Sequence, residues 1–286
     1  MYFSPSKKIN ELEEDFTLLI NETPIKEVTQ TKFFGVIIDN KLTWVPHIKQ
    51  LVTKLRSCIG RIHRIKNLIP QNLHKDIYHT LFESHLTFGI SVWGGVSMNT
   101  LAPLFTTQKK CVRLLFGDNE AYSDKFKTCV RTRPIHCIKP LDDKLSWKVD
   151  LRDQILGTKF FEKEHTKPLF VANDILTVHN LYRYHCLNET YKILKLRTPI
   201  SLYTSLFNRS RLKETRLITP TPSVNFTYKS AHLWNTCQNV KCLKMHDLSS
   251  NTIGSFKHSL KKSLLSAQKC YNSVEWCGLE FTSFGQ

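Results

Sequence analysis

Between Trp44 and Lys66 the apolar residues Ile48, Leu51, Val52, Leu55, Ile59 and Ile62 recur at steps of three and four. That spacing lines one stripe of an α-helix and no single face of a strand, so residues 44–66 are expected to form an amphipathic helix buried along that stripe. At about 100° per residue, the polar side then carries two rows spaced by seven, Lys49/Arg56/His63 and Lys54/Arg61, with Arg64 between them. No acidic residue interrupts this face. A solvated helix ordinarily mixes signs, so a one-sign face points to phosphate contacts.

The rest of the chain extends the bias unevenly. Its 286 residues carry 41 Lys+Arg against 24 Asp+Glu, a formal charge of +17. Residues 1–42 are net −2, 43–117 net +8, 118–170 net +2 and 171–286 net +9. Two basic blocks around a nearly balanced middle look like surfaces for a polyanion, with an acidic membrane surface as the weaker alternative. With 41% hydrophobic residues the chain is too apolar for a disordered basic tail. Its longest apolar run is about six residues, far short of the ~20 of a membrane-spanning helix. The N-terminus lacks an apolar signal region, and nine scattered cysteines suit reduced thiols. A cytoplasmic or nuclear setting is expected, without secretion.

The fold class expected is mainly α. Phe16–Ile20 and the run Phe33–Ile38 read as strands of a small antiparallel sheet, with Asn21–Pro24 supplying turn chemistry between them. Thr43 is a candidate cap for the basic helix. Past Pro70 a second helix, about 71–86, is expected to turn Leu73, Ile77, Leu81 and Phe82 inward. A third, about 99–116, buries Leu101, Leu104, Phe105, Val112 and Leu115 and carries Lys109, Lys110 and Arg113 near its end. Further helices are expected over about 171–194, with Ile175, Val178, Leu181, Tyr182 and Cys186 inward, and about 252–268, with Ile253, Phe256, Leu260 and Leu264 inward. Between them the stretch around Pro199, Pro220 and Pro222 reads as basic and irregular. The domain divisions that follow are 1–42, 43–117 and 118–286, the last with a further boundary near 170.

No complete catalytic centre is legible. The adjacent aspartate pair, Asp142-Asp143, stands among Pro and Lys without an aromatic two residues before it, and reads as a solvated turn. Gly89 to Gly94 has the gap of a phosphate loop, but Gly95-Val96 replaces the Lys-Ser/Thr it needs. Cys237, Cys242 and His246 make the best zinc candidate, at spacings too irregular to favour it over free thiols. The aromatics near the basic helix, Trp44, Tyr78, Phe82, Phe88 and Trp93, fall at core-type spacing more than as base-stacking platforms.

The string Lys32-Phe-Phe-Gly-Val-Ile-Ile-Asp-Asn-Lys-Leu-Thr-Trp-Val-Pro-His-Ile resembles the segment downstream of the catalytic palm motifs in reverse transcriptases of non-LTR retrotransposons, particularly jockey-like elements. Leu68-Ile-Pro, Ile77-Tyr-His-Thr-Leu, Phe88-Gly-Ile-Ser-Val-Trp-Gly, Gln108-Lys-Lys-Cys-Val-Arg, Leu233-Trp-Asn and Phe256-Lys-His-Ser-Leu-Lys follow in the family's order. The resemblance implies a primer-grip-like hairpin at Phe33, Phe34, Gly35, Val36 and Ile37, closing a palm remnant, and a thumb-like helical bundle over 43–117. It implies that the fingers and catalytic aspartates lie upstream of Met1, with any Mg belonging there and no cofactor in this chain. Phe34 departs from the usual Leu, and Cys237-Gln238 from the usual Leu-Pro after Trp-Asn. The expected partner is an RNA or DNA template-primer held by Lys49, Lys54, Arg56, Arg61 and Arg64, extended by Lys109, Lys110 and Arg113, along with the missing polymerase segments. The competing expectation is a host-retained helical module that binds a protein, and a weaker third is a zinc-stabilised nucleic-acid binder.

Overall fold

The computed structural model describes residues 19–24, 28–117, 166–206, 217, 226–238 and 252–270. Two short antiparallel pairs come first: β1 (Leu19–Ile20) with β2 (Thr23–Pro24), and β3 (Gln30–Phe33) with β4 (Val36–Asp39). The small antiparallel sheet expected over residues 16–38 is present as two hairpins, each strand pairing with its own sequence neighbour, and residues 16–18 lie outside the described residues. The run itself folds back on itself. Phe34 and Gly35 both have positive φ, 44° and 85°, which joins β3 to β4 through a two-residue turn whose twist suits the strands. The register is Phe33↔Val36 through Gln30↔Asp39.

Helices supply the rest, making the described part mostly helical. α1 (Val45–Ile65) buries Ile48, Leu51, Val52, Leu55 and Ile62, the stripe read from the sequence, and adds His47 and Cys58. Its start differs in detail from a Thr43 cap. Trp44 occupies the cap position in a left-handed conformation, and Asp39 holds the turn: its Oδ2 accepts from the Thr43 amide at 2.9 Å and hydroxyl at 2.8 Å, its Oδ1 from the Trp44 amide at 2.9 Å. Burial alone would raise the Asp39 carboxyl, but these donors outweigh it and hold it below the usual carboxylate range.

α2 is composite: α-helical His74–Ile77, a π turn over Tyr78–Glu83, and α-helical Ser84–Thr87. Of the expected inward face, Phe82 is buried and Ile77 packs against the core, but Leu73 and Leu81 are corrected. Leu73 and Leu81 are 43% and 41% exposed, and the buried set is His74, Tyr78, Phe82 and Leu86, spaced by four. A regular helix of 3.6 residues per turn would rotate such a series by about 40° per step, and the wider π turn takes up that drift so that all four face the core.

α3 (Ile90–Trp93) leads to α4 (Met98–Phe116), where Ser97 caps by accepting from the Thr100 amide at 3.3 Å. The expected single helix near 171–194 is two helices, α5 (Lys167–Ala172) and α6 (Val178–Leu196). Asp174, with φ of 52°, takes the left-handed step that ends α5, and Thr177 caps α6. α7 (Ile200–Leu206) lies at the start of the stretch expected to be irregular between Pro199 and Pro222, whose Arg209, Arg211, Lys213 and Arg216 are outside the described residues; α8 (Phe226–Gln238) follows it, and α9 (Ile253–Cys270) closes the described chain.

One hydrophobic cluster runs from α1 to α9, with Leu55, Phe82, Trp93, Leu104, Cys186 and Leu264 among its members. α1 lies along α4, and α6 packs on α3, α4, α8 and α9. Gln108 of α4, fully buried, ties these layers. Its amide nitrogen donates to the Tyr78 hydroxyl and the Leu176 carbonyl, both at 2.8 Å, and its oxygen accepts from the first α6 amide, Val178, at 2.9 Å. Among the described cysteines, Cys58, Cys111 and Cys186 are buried and take part in no disulfide. Among the described residues no helix is long and apolar enough to cross a membrane.

Candidate nucleic-acid interface

Because α1 is held by one stripe against α4 and α2, its remaining surface faces solvent. Lys49, Lys54, Arg56, Arg61 and Arg64 are all exposed, as is His63. The two rows flank a crest of small residues, Thr53, Ser57 and Gly60, and nothing lies within 4 Å of where a Gly60 Cβ would sit. A convex helix with charged shoulders and a low crest can approach a rod of phosphates closely.

The shoulders differ in their neighbours. His47, Lys54, Cys58 and Arg61 fall within a sector of about 60° on α1, the sector facing α2 and the hairpin. Cys58 Sγ donates to the Leu81 carbonyl at 3.0 Å; burial raises its thiol, while Arg61 beside it pulls the other way. His85, from the last α-helical turn of α2, has its proton affinity lowered first by burial and then by Lys54 and Arg61. His85 was not legible as part of this surface, because its partners stand 24 and 31 residues away and no periodicity links them.

Lys109 and Arg113 belong to a different neighbourhood. The Lys109 ammonium lies 4.3 Å from the centre of the Phe105 ring, and burial followed by the charge of Arg113 lowers its pKa. Phe105 in turn meets His179 of α6 at 5.5 Å. His179 is pushed down to about 4, first by burial, then by Arg183 and Lys109. Lys109 is half-buried here, beside the seam between α4 and α6, whereas Arg113, whose charge reaches it, and Lys110 are both exposed. The eight basic residues named from sequence thus group as five exposed on α1, Lys109 half-buried at the α4–α6 seam, and Lys110 and Arg113 exposed on α4.

The hairpin is anchored at its base and bare at its tip. Asp39 fixes the exit from β4, and His47 Nδ1 accepts from the Ile37 amide at 3.3 Å. Val36 and Ile37 are half-buried, while Phe33, Phe34 and Gly35 are exposed. Of the five nearby aromatics, Trp44, Tyr78, Phe82 and Trp93 are core residues, as their spacing indicated, and Phe88 is exposed. Among the described residues no group of three or more His, Cys, Asp or Glu could hold a metal ion. The Asp142-Asp143 pair, Cys242, His246 and the Cys237 side chain lie outside the described residues.

No family model matches the chain, and no solved structure matches it. Over 101 residues it is 23% identical to a protein of Drosophila melanogaster described as "Probable RNA-directed DNA polymerase from transposon X-element". The match spans 34% of this chain and 11% of that protein. The chain is thus distantly similar to a transposon reverse transcriptase, over about a tenth of the relative's length.

Proposed function

We propose that this chain is a nucleic-acid-binding element derived from the reverse transcriptase of a non-LTR, jockey-like retrotransposon, and that residues 43–117 act as a thumb that holds a template-primer duplex. The observation that carries the reading is the exposure of both α1 rows, Lys49/Arg56 and Lys54/Arg61 with Arg64, on a face without an acidic residue. The distant likeness to a transposon RNA-directed DNA polymerase supports the same origin. On this reading the chain supplies duplex binding, and nucleotide transfer belongs to palm segments outside this sequence. Five phosphate contacts on a duplex give a log-log salt slope near −4.5, from about −0.9 per neutralised phosphate. Fluorescence anisotropy of a labelled duplex across a salt series measures it, and a slope near zero would sink the reading.

A second reading, a helical protein-interaction module, draws on the outward Leu73 and Leu81 of the α2 segment. It requires a stoichiometric protein partner that survives charge reversal at Arg56 and Arg61.

A further inference from the structure

The core takes Trp44, Tyr78, Phe82 and Trp93 but leaves three phenylalanines together in solvent. Phe34 is 82% exposed and Phe88 56%. The Phe33 and Phe34 rings meet edge-on with centroids 4.4 Å apart, and the Phe88 ring edge lies 3.3 Å from where a Gly35 Cβ would be. The hairpin tip and Phe88 therefore form one apolar patch, built from segments more than 50 residues apart.

The patch is held in place from below. Trp93, buried, donates its indole N–H to the Phe88 carbonyl at 2.8 Å, and Gly89, with φ of 64°, turns the chain under it. Gly89 also lies against Val36 of β4. The hairpin is fixed to α1 through Ile37 and His47. Exposed rings that are backed by a packed frame, and left uncovered, mark a surface with a partner.

Charge indicates which partner. The α1 shoulder of Lys54 and Arg61 faces His85, and His85 stands three residues before Phe88 at the end of α2. Beside Phe33 on β3, exposed Lys32 sits opposite Ile37 in the register. A cationic track thus runs along α1 and ends at flat apolar rings, the combination that binds single-stranded nucleic acid: phosphates on the cations, bases on the aromatic faces.

We propose that Phe34 and Phe88, supported by Phe33, form a stacking platform for unpaired bases that extend from the end of a duplex lying on the Lys54/Arg61 shoulder. The platform rests on the reading of α1 as a phosphate-binding face and adds the ligand of its hairpin end. An apolar protein segment would not use the flanking Lys32, Lys54 and Arg61.

The test compares a blunt DNA duplex with the same duplex carrying four unpaired thymidines, bound to the full chain and followed by anisotropy at fixed salt. The overhang binds at least about fivefold tighter, the weak end of what one stacked base contributes. Phe34→Asn creates an Asn-Gly turn, which favours the positive φ that this hairpin needs, so it removes the ring without loosening the strand connection. The pair Phe34→Asn with Phe88→Ala abolishes the overhang preference and keeps blunt-duplex affinity within about twofold, while Phe88→Tyr retains the preference. Equal binding of blunt and overhanging duplex by the unaltered chain overturns the platform and leaves the α1 reading standing. A parallel loss of blunt binding in the paired variant also overturns it. Failure of the unaltered chain to bind either duplex removes both.

Discussion

Two helices of this protein carry cations to opposite ends. On α1, Lys49, Lys54, Arg56, Arg61 and Arg64 stand in water around a stripe that is buried elsewhere. At the seam of α4 with α6, Lys109 lies over the Phe105 ring, His179 is pushed down to about 4, and the buried Arg183 donates to the Asn180 side-chain oxygen at 2.9 Å. Nearby, Lys229 of α8 donates to the Gly95 carbonyl at 2.9 Å with its proton affinity lowered by burial. A net charge of +17 is therefore not one surface. Part of it is available to a polyanion, and part is spent on carbonyls and rings that hold helices together.

The sharpest way to break the comparison is to damage the seam. Gln108→Leu leaves the Val178 amide, the Leu176 carbonyl and the Tyr78 hydroxyl without that partner in a dry interior, and is expected to lower stability by about 3 kcal/mol or more in urea unfolding. Next in size is pH. The folded state keeps His179 neutral down to about 4 while the unfolded chain takes up a proton near 6.5, so stability is full above pH 6.5 and falls as pH drops toward 4. Between pH 7 and pH 5 the loss is about 2 kcal/mol from this group, and His179→Gln flattens it; an unchanged slope would place the acid sensitivity elsewhere.

The α1 side predicts binding effects in place of stability effects. Arg56→Gln with Arg61→Gln reduces the magnitude of the duplex salt slope by about 1.8, two phosphates' worth, while Lys109→Gln changes it by less than about 0.3. Equal changes would merge the two neighbourhoods into one interface. The smallest effect belongs to the crest. Gly60→Ala, with open space at the Cβ position, stabilises α1 by about 0.5–1 kcal/mol through helix propensity, read from the thermal midpoint.

The contrast between legible and illegible parts follows the range of the forces involved. α1 was readable almost to its ends, because a long amphipathic repeat declares both its element and its buried face. The inward residues of α4, α6 and α9 were readable for the same reason. α2 was read only in part: Phe82 was placed inward, but Leu73 and Leu81 were taken for the buried side in place of His74 and Leu86. Nothing local in Leu73–Leu86 announces a π turn, which arises because four-residue spacing of His74, Tyr78, Phe82 and Leu86 must meet a core assembled from other helices. The break between α5 and α6 turned on Asp174 entering a left-handed conformation, a choice made by the packing of Ile175 and by the amides that Gln108 and Thr177 satisfy.

The amino-acid sequence by itself determined that this is a mainly helical protein with a one-sign basic face on α1, since periodicity and sign are properties of neighbours along a chain. Tertiary structure alone decided which cations remain in water and which aromatics remain bare. Lys109 and Lys110 are adjacent in sequence, yet only the first lies over a ring in the seam. Phe82 and Phe88 are six residues apart, yet only the second is left at the surface beside a hairpin from the other end of the domain. Burial is set by what packs on a residue, and those partners come from segments that local sequence does not contain.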